Sequence, residues 1–123
     1  MTKNPKIAVV EQYIKALSNH DTVAIDTLFT DNATVEDPVG SEPISGKAAI
    51  LRYFEVAFSS GVSARLDGAV RLAGAHGLFP VVIELNPGNG EVRIEIIIQF
   101  TFDSHNKIMA MKAFWSEANM TTP

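Results

Sequence analysis

At 123 residues the chain has room for one apolar core and not two, and 46% hydrophobic against 20% charged residues is the balance of a globular domain. A net charge of -4, with no run of Lys or Arg longer than one residue, excludes the basic footprint that nucleic acid requires. The absence of Cys excludes disulfides, thiolate catalysis and Cys-ligated metal together.

The opening MTKNPKIAVV lacks the charged-then-apolar layout of a signal peptide, and no apolar run approaches the roughly 20 residues of a membrane helix. The expectation is a cytoplasmic protein with neither membrane nor nucleic acid as partner, folded as a single domain over residues 1–123. Asn4 as a cap and Pro5 at the first helical position open a helix with Ile7, Val10, Tyr13, Ile14 and Leu17 on one stripe, running to about Asn19. Asp21 caps a shorter second helix with Ala24, Ile25 and Leu28 inward, ending near Phe29 and a turn at Thr-Asp-Asn.

From Ala33 the period changes to two, giving a short strand through Val35 and Asp37 that Pro38 stops. The stretch VGSEPISG reads as loop, and a third helix follows from Lys47 to Phe58 with Ile50, Leu51, Phe54 and Phe58 inward. Alternation then marks strands over Ser63–Leu72, Leu78–Leu85, Val92–Phe102 and Lys107–Trp115, joined by the turns AGAHG, NPGNG and DSHNK. Helices first and a meander last predict an α+β domain, with a curved, mostly antiparallel sheet wrapped around three helices and a pocket on its concave side.

Two residues on these elements could carry chemistry. Asp37 shares the inward face of its strand with Ala33 and Val35, and a carboxylate facing an apolar interior is what general-base catalysis near neutral pH calls for. The plainer reading is a turn former bonding nearby backbone, the common role of Asp before Pro. Tyr13 lies on the inward helical stripe, where its default role is a core ring with one structural hydrogen bond. Together, an inward phenol and an inward carboxylate are the pair needed to enolise a ketone: a donor for the developing oxyanion and a base for the α proton. The three histidines, His20, His76 and His105, are scattered through turn-like contexts without ligand spacing, so no metal is expected.

The segments TVEDPVGSEPISGKAAI and MKAFWSEAN resemble bacterial Δ5-3-ketosteroid isomerases, and VVEQYIKALSNHD, IDTLFTDNATVEDP and GLFPVVIEL extend the similarity over nearly the whole chain. The resemblance implies a cone-shaped NTF2-like (SnoaL-like) fold, a homodimer paired through the outer face of the sheet, and cofactor-free isomerisation of a 3-keto steroid. Asp37 would then be the general base and Tyr13 the oxyanion donor, with Phe54, Phe79, Val81, Ile98, Phe114 and Trp115 at or near positions lining the cavity for a small apolar ligand. For Phe114, plain core packing stays equally open. Other chemistries that the fold hosts, such as dehydration, cyclisation or epoxide hydrolysis, also stay open, as does a non-catalytic carrier of apolar ligands.

The sequence departs from the family at three places. In VRIEIIIQFTF the even positions Val92 to Phe102 share one face, and the family's second oxyanion donor, a protonated Asp, falls on Ile98. Two tyrosines that extend the hydrogen-bond chain in some members fall on Phe29 and Phe54. Tyr53 is adjacent to the second but points about 100° away around the helix, so the oxyanion hole is expected to be reduced to Tyr13. Ile97, Met109, Met111 and Ala113 are expected to face outward and give the sheet an apolar outer surface.

Overall fold

The computed structural model describes residues 4–123, so the first three positions of the 1–123 span lie outside the described residues. Helix α1 spans Pro5–Asn19, with the Asn4 side chain accepting from the Lys6 and Ile7 amides, as the cap requires. It ends at His20 in the left-handed conformation (φ 53°), whose N–H returns to the carbonyls of Ala16 and Leu17. Helix α2, Thr22–Leu28, starts from Asp21, whose carboxylate accepts from the Ala24 amide at 3.0 Å. Helix α3 spans Lys47–Ser59 and buries Ile50 and Phe54. No helix among the described residues is long and apolar enough to cross a membrane.

The strands are β1 (Phe29–Glu36), β2 (Ile44–Ser45), β3 (Ser63–Leu66), β4 (Arg71–Ala73), β5 (His76–Leu85), β6 (Val92–Phe102), β7 (Ile108–Phe114) and β8 (Met120–Thr121). They form one sheet in the order β2-β1-β7-β6-β5-β3, with β4 also paired to β5 and β8 to β6. Every pairing is antiparallel except β1 with β7, which is parallel. The result is the expected α+β architecture, with a mixed, open, curved sheet and three helices.

Three local readings are corrected. The Thr-Asp-Asn stretch is strand: β1 leaves α2 directly, because Phe29 is buried and pairs with Ile108. Within the expected loop, Ile44 and Ser45 pair with Val35 and Thr34 to make the edge strand β2. The long strand over Ser63–Leu72 is broken between β3 and β4: the β3–β5 ladder ends with the bond from Asp67 N–H to the Pro80 carbonyl, and pairing with β5 resumes only at Arg71.

The correction with most consequence lies in β7. Thr101 pairs with Ala110 but Phe102 pairs with Ile108, so β7 carries one extra residue against β6 at that point. Side chains alternate with a period of two, so one inserted residue reverses every position beyond it. Ile108 before the bulge is buried; after it Met111 and Ala113 are buried while Lys112 and Phe114 face out. Met111 and Ala113, expected outside, therefore belong to the interior, and Ile97 and Met109 remain on the outer face. Strand β6, with no bulge before Thr101, alternates as read: Ile94, Ile96, Ile98, Phe100 and Phe102 are buried. An aromatic cluster sits beneath them, with the Phe100 ring edge-on to Tyr13 at 5.1 Å and to Phe79 at 5.0 Å.

Candidate active site

Between α1, α3 and the concave face of β5–β7 lies a chamber of about 160 Å³. Its walls are apolar except for Asp37, Tyr13, Tyr53 and Trp115, and the Asp37 charge is near enough to bear on both phenols. A wider groove of about 610 Å³ adjoins it across Tyr53, Ala57 and Leu85, running between the last turn of α3 and the β5–β6 connection at Asn86–Gly88.

Asp37 follows β1 directly, and the backbone beyond it is pinned. Val39 N–H donates to the Ala113 carbonyl at 2.8 Å, and Gly40 N–H donates to Glu36 Oε2 at 2.7 Å. Glu36 thus does the local backbone bonding that an Asp before Pro usually does, and the Asp37 carboxylate is taken up by side chains instead. Its Oδ1 accepts from Trp115 Nε1–H at 2.6 Å and its Oδ2 from the Tyr53 hydroxyl. Trp115 reaches it because the parity set by the β7 bulge carries one residue past the strand. A short 3₁₀ turn at Glu117–Asn119 then closes the segment, with Ser116 and Asn119 capping each other's backbone.

Tyr13 projects from α1, fully enclosed, with its hydroxyl 3.4 Å from Met111 Sδ. A thioether sulfur is a weak acceptor, so this hydroxyl is held loosely enough to turn to a better one. Loss of water pushes the Tyr13 phenol above its ordinary range, and the nearby Asp37 charge adds to the shift. Tyr53 is raised for the same reasons, burial first and then the Asp37 carboxylate that it donates to. Both phenols are thus kept protonated and able to donate.

Of the residues read as site candidates, the structure brings Asp37, Tyr13, Phe54, Ile98 and Trp115 to the chamber. It does not bring Phe79, Val81 or Phe114. Phe79 and Val81 are inward and buried, but they pack in the core outside the chamber walls. Phe114 is 41% exposed on the outer face, because the β7 bulge reverses its direction. Ile98 lies on the inward face and is 2% exposed, an apolar wall where the resemblance calls for a hydrogen-bond donor. Tyr53 points away from Phe54 around the helix, yet it stands at the carboxylate. The overlooked signal is its spacing of three from Ile50, the other buried residue of α3: i and i+3 share a helix face, so Tyr53 flanks the buried stripe. Its ring meets Phe54 edge-on at 5.1 Å.

Residues 10–111 match the SnoaL-like domain, and the chain belongs to that family, with the NTF2-like cone fold. It is 34% identical over 113 residues to the steroid Delta-isomerase of Nocardioides simplex, a match covering 92% of this chain and 91% of that protein. Among solved structures, the epoxide hydrolase/cyclase-like enzyme SalBIII, with a role in pyran ring formation in the polyether salinomycin, superposes with a TM-score of 0.89. It is 27% identical and the match covers 96% of this chain and 95% of that one. RV0760c from Mycobacterium tuberculosis also superposes with a TM-score of 0.89, at 16% identity, over 100% of this chain and 99% of that one, a likeness of fold. The relatives whose chemistry is named are enzymes, isomerase or related cone-fold catalysts.

Proposed function

We propose that the chain is a Δ5-3-ketosteroid isomerase or an isomerase of a closely related β,γ-unsaturated ketone. The observation that carries this reading is a single carboxylate, held by two side-chain donors, facing an apolar chamber that also contains the loosely held hydroxyl of Tyr13. Asp37 takes a proton from the carbon between the carbonyl and the double bond, and the C–H electron pair flows into a dienolate. Tyr13 donates to the oxygen on which the negative charge gathers. Asp37 then returns the same proton two carbons further on, giving the conjugated enone with nothing consumed and no cofactor required.

The cavity supports a substrate with one polar end. The chamber alone is smaller than the roughly 300 Å³ at which ligand pockets usually begin, so the reacting ring occupies it and the rest of the frame follows the adjoining groove. The likeness to an epoxide hydrolase/cyclase-like enzyme favours a second chemistry less. Opening an epoxide calls for an acid as well as a base, and Asp37 is the one carboxyl among the described residues that line the chamber.

The test is Asp37→Asn with 5-androstene-3,17-dione as substrate, following the conjugated enone by its ultraviolet absorbance. Turnover should fall to background while the fold, read by circular dichroism, is kept. Equal rates for the two proteins would sink the assignment.

A further inference from the structure

We propose that Tyr53 is the second oxyanion donor of this site: its hydroxyl holds the Asp37 carboxylate while the base is charged and passes to the substrate oxygen once the proton has moved. The inference rests on the reading of Asp37 as the base.

A hydroxyl bonded to a carboxylate is in a charge-assisted hydrogen bond, roughly twice as strong as a neutral one. When Asp37 takes up the proton it becomes a neutral acid, and that assistance ends. At the same moment the dienolate oxygen becomes the anion of the chamber. A donor free to move follows the charge.

Tyr53 has that freedom and a suitable place. Its ring forms the wall shared by the chamber and the groove, with open space on both sides, and it is half-buried where Tyr13 is fully enclosed. Both phenol rings pack edge-on against Phe54, Tyr13 at 6.0 Å and Tyr53 at 5.1 Å, so the two hydroxyl-bearing rings flank a common neighbour. Trp115 differs: its Nε1–H is the other ligand of Asp37, and it can stay on the carboxyl group while Tyr53 leaves. Within the same lining Ile98 of β6 offers no donor, so one hydroxyl beyond Tyr13 supplies what the strand lacks.

The decisive measurement uses equilenin, a phenol that mimics the enolate, and the Asp37→Asn protein, in which Asn stands for the uncharged base. In that background Tyr53→Phe should weaken equilenin by roughly 10- to 100-fold, the worth of a hydrogen bond to a charged group. With Asp37 intact the same substitution should weaken it much less, since Tyr53 is then engaged by the carboxylate. A residue that only shapes the wall would give equal losses in both backgrounds; equal losses, no loss, or failure of Asp37→Asn to take up equilenin would each overturn the inference. Turnover gives an independent reading if the double variant does not fold. Tyr53→Phe alone should lower kcat by about 10²-fold with little change in KM, and an unchanged kcat overturns it. These results stand apart from the base assignment, which fails only if Asp37→Asn keeps its turnover.

Discussion

Tyr13 and Tyr53 are the two tyrosines of the chain, and both are shifted the same way, by loss of water and by the charge of Asp37. In the unfolded chain each would ionise near pH 10. In the fold each ionises higher, so the stability they contribute is complete below about pH 10 and declines above it, where the unfolded chain gains by ionising first. Phenolate absorbance should therefore appear together with unfolding in an alkaline titration. A phenolate signal developing near pH 10 while the circular dichroism stays native would show the rings to be wetter than described. Tyr13 was legible in the sequence because it lies in the middle of an apolar stripe. Tyr53 was not: it sits at the stripe's edge, and only the position of Asp37, brought by another element, turns an edge residue into a ligand.

Two turns of phrase in the chain decide how its elements are aimed. The first is DSHNK, between β6 and β7, where the Asp103 carboxylate accepts from the amides of His105 at 2.8 Å and Lys107 at 2.9 Å. These bonds, that to Lys107 foremost, hold the Asp103 carboxyl below its usual range. A carboxyl lowered in the fold stabilises above its unfolded value, near pH 4, and the contribution is lost as pH falls through the folded value. Wild type should therefore resist urea better than Asp103→Asn at neutral pH, with the gap closing in acid; a gap independent of pH would mean that the charge plays no part. The second is the bulge of β7, which the sequence did not disclose. Met109-Ala110 carries no Gly or Pro to mark an extra residue, so a regular period puts Met111 and Ala113 on the wrong face, and the resemblance sets Phe114 near the cavity when it faces out. β6 was legible throughout Val92–Phe102 because its alternation of bulky apolar and polar residues is interrupted only at Ile97.

For the molecule as a whole, the reading as a ketosteroid isomerase carries with it a homodimer paired through the outer face of the sheet. Ile97 and Phe114 stand directly opposite each other on β6 and β7, 42% and 41% exposed, with Met109 further along β7 and Leu78 on β5. Apolar side chains gathered on one face are a common mark of an interface. The protein should sediment as a dimer at micromolar concentration, and Ile97→Lys should shift it to monomer. A wild type that sediments as a monomer would remove the pairing. The layers of the fold were legible from the order of its periodicities, helical up to Leu28 and again over Lys47–Ser59, and two-residue in the short strand between them and in the meander from Ser63 onward. The parallel contact of β1 with β7 was not, since the pattern of a strand says little about which distant strand it will meet.

That parallel contact also governs when the site can exist. Asp37 and Trp115 are 78 positions apart, and they meet because β1 lies against β7 in register from Thr34 to Glu36. A chain emerging from the ribosome can build its helical layer early, but its carboxylate has no indole to hold it until residue 115 has been made and the last long strand has docked. On the proposed reading of Asp37 as the base, nascent chains should therefore show no turnover, and the capacity to move a proton should arrive with the closing of the sheet.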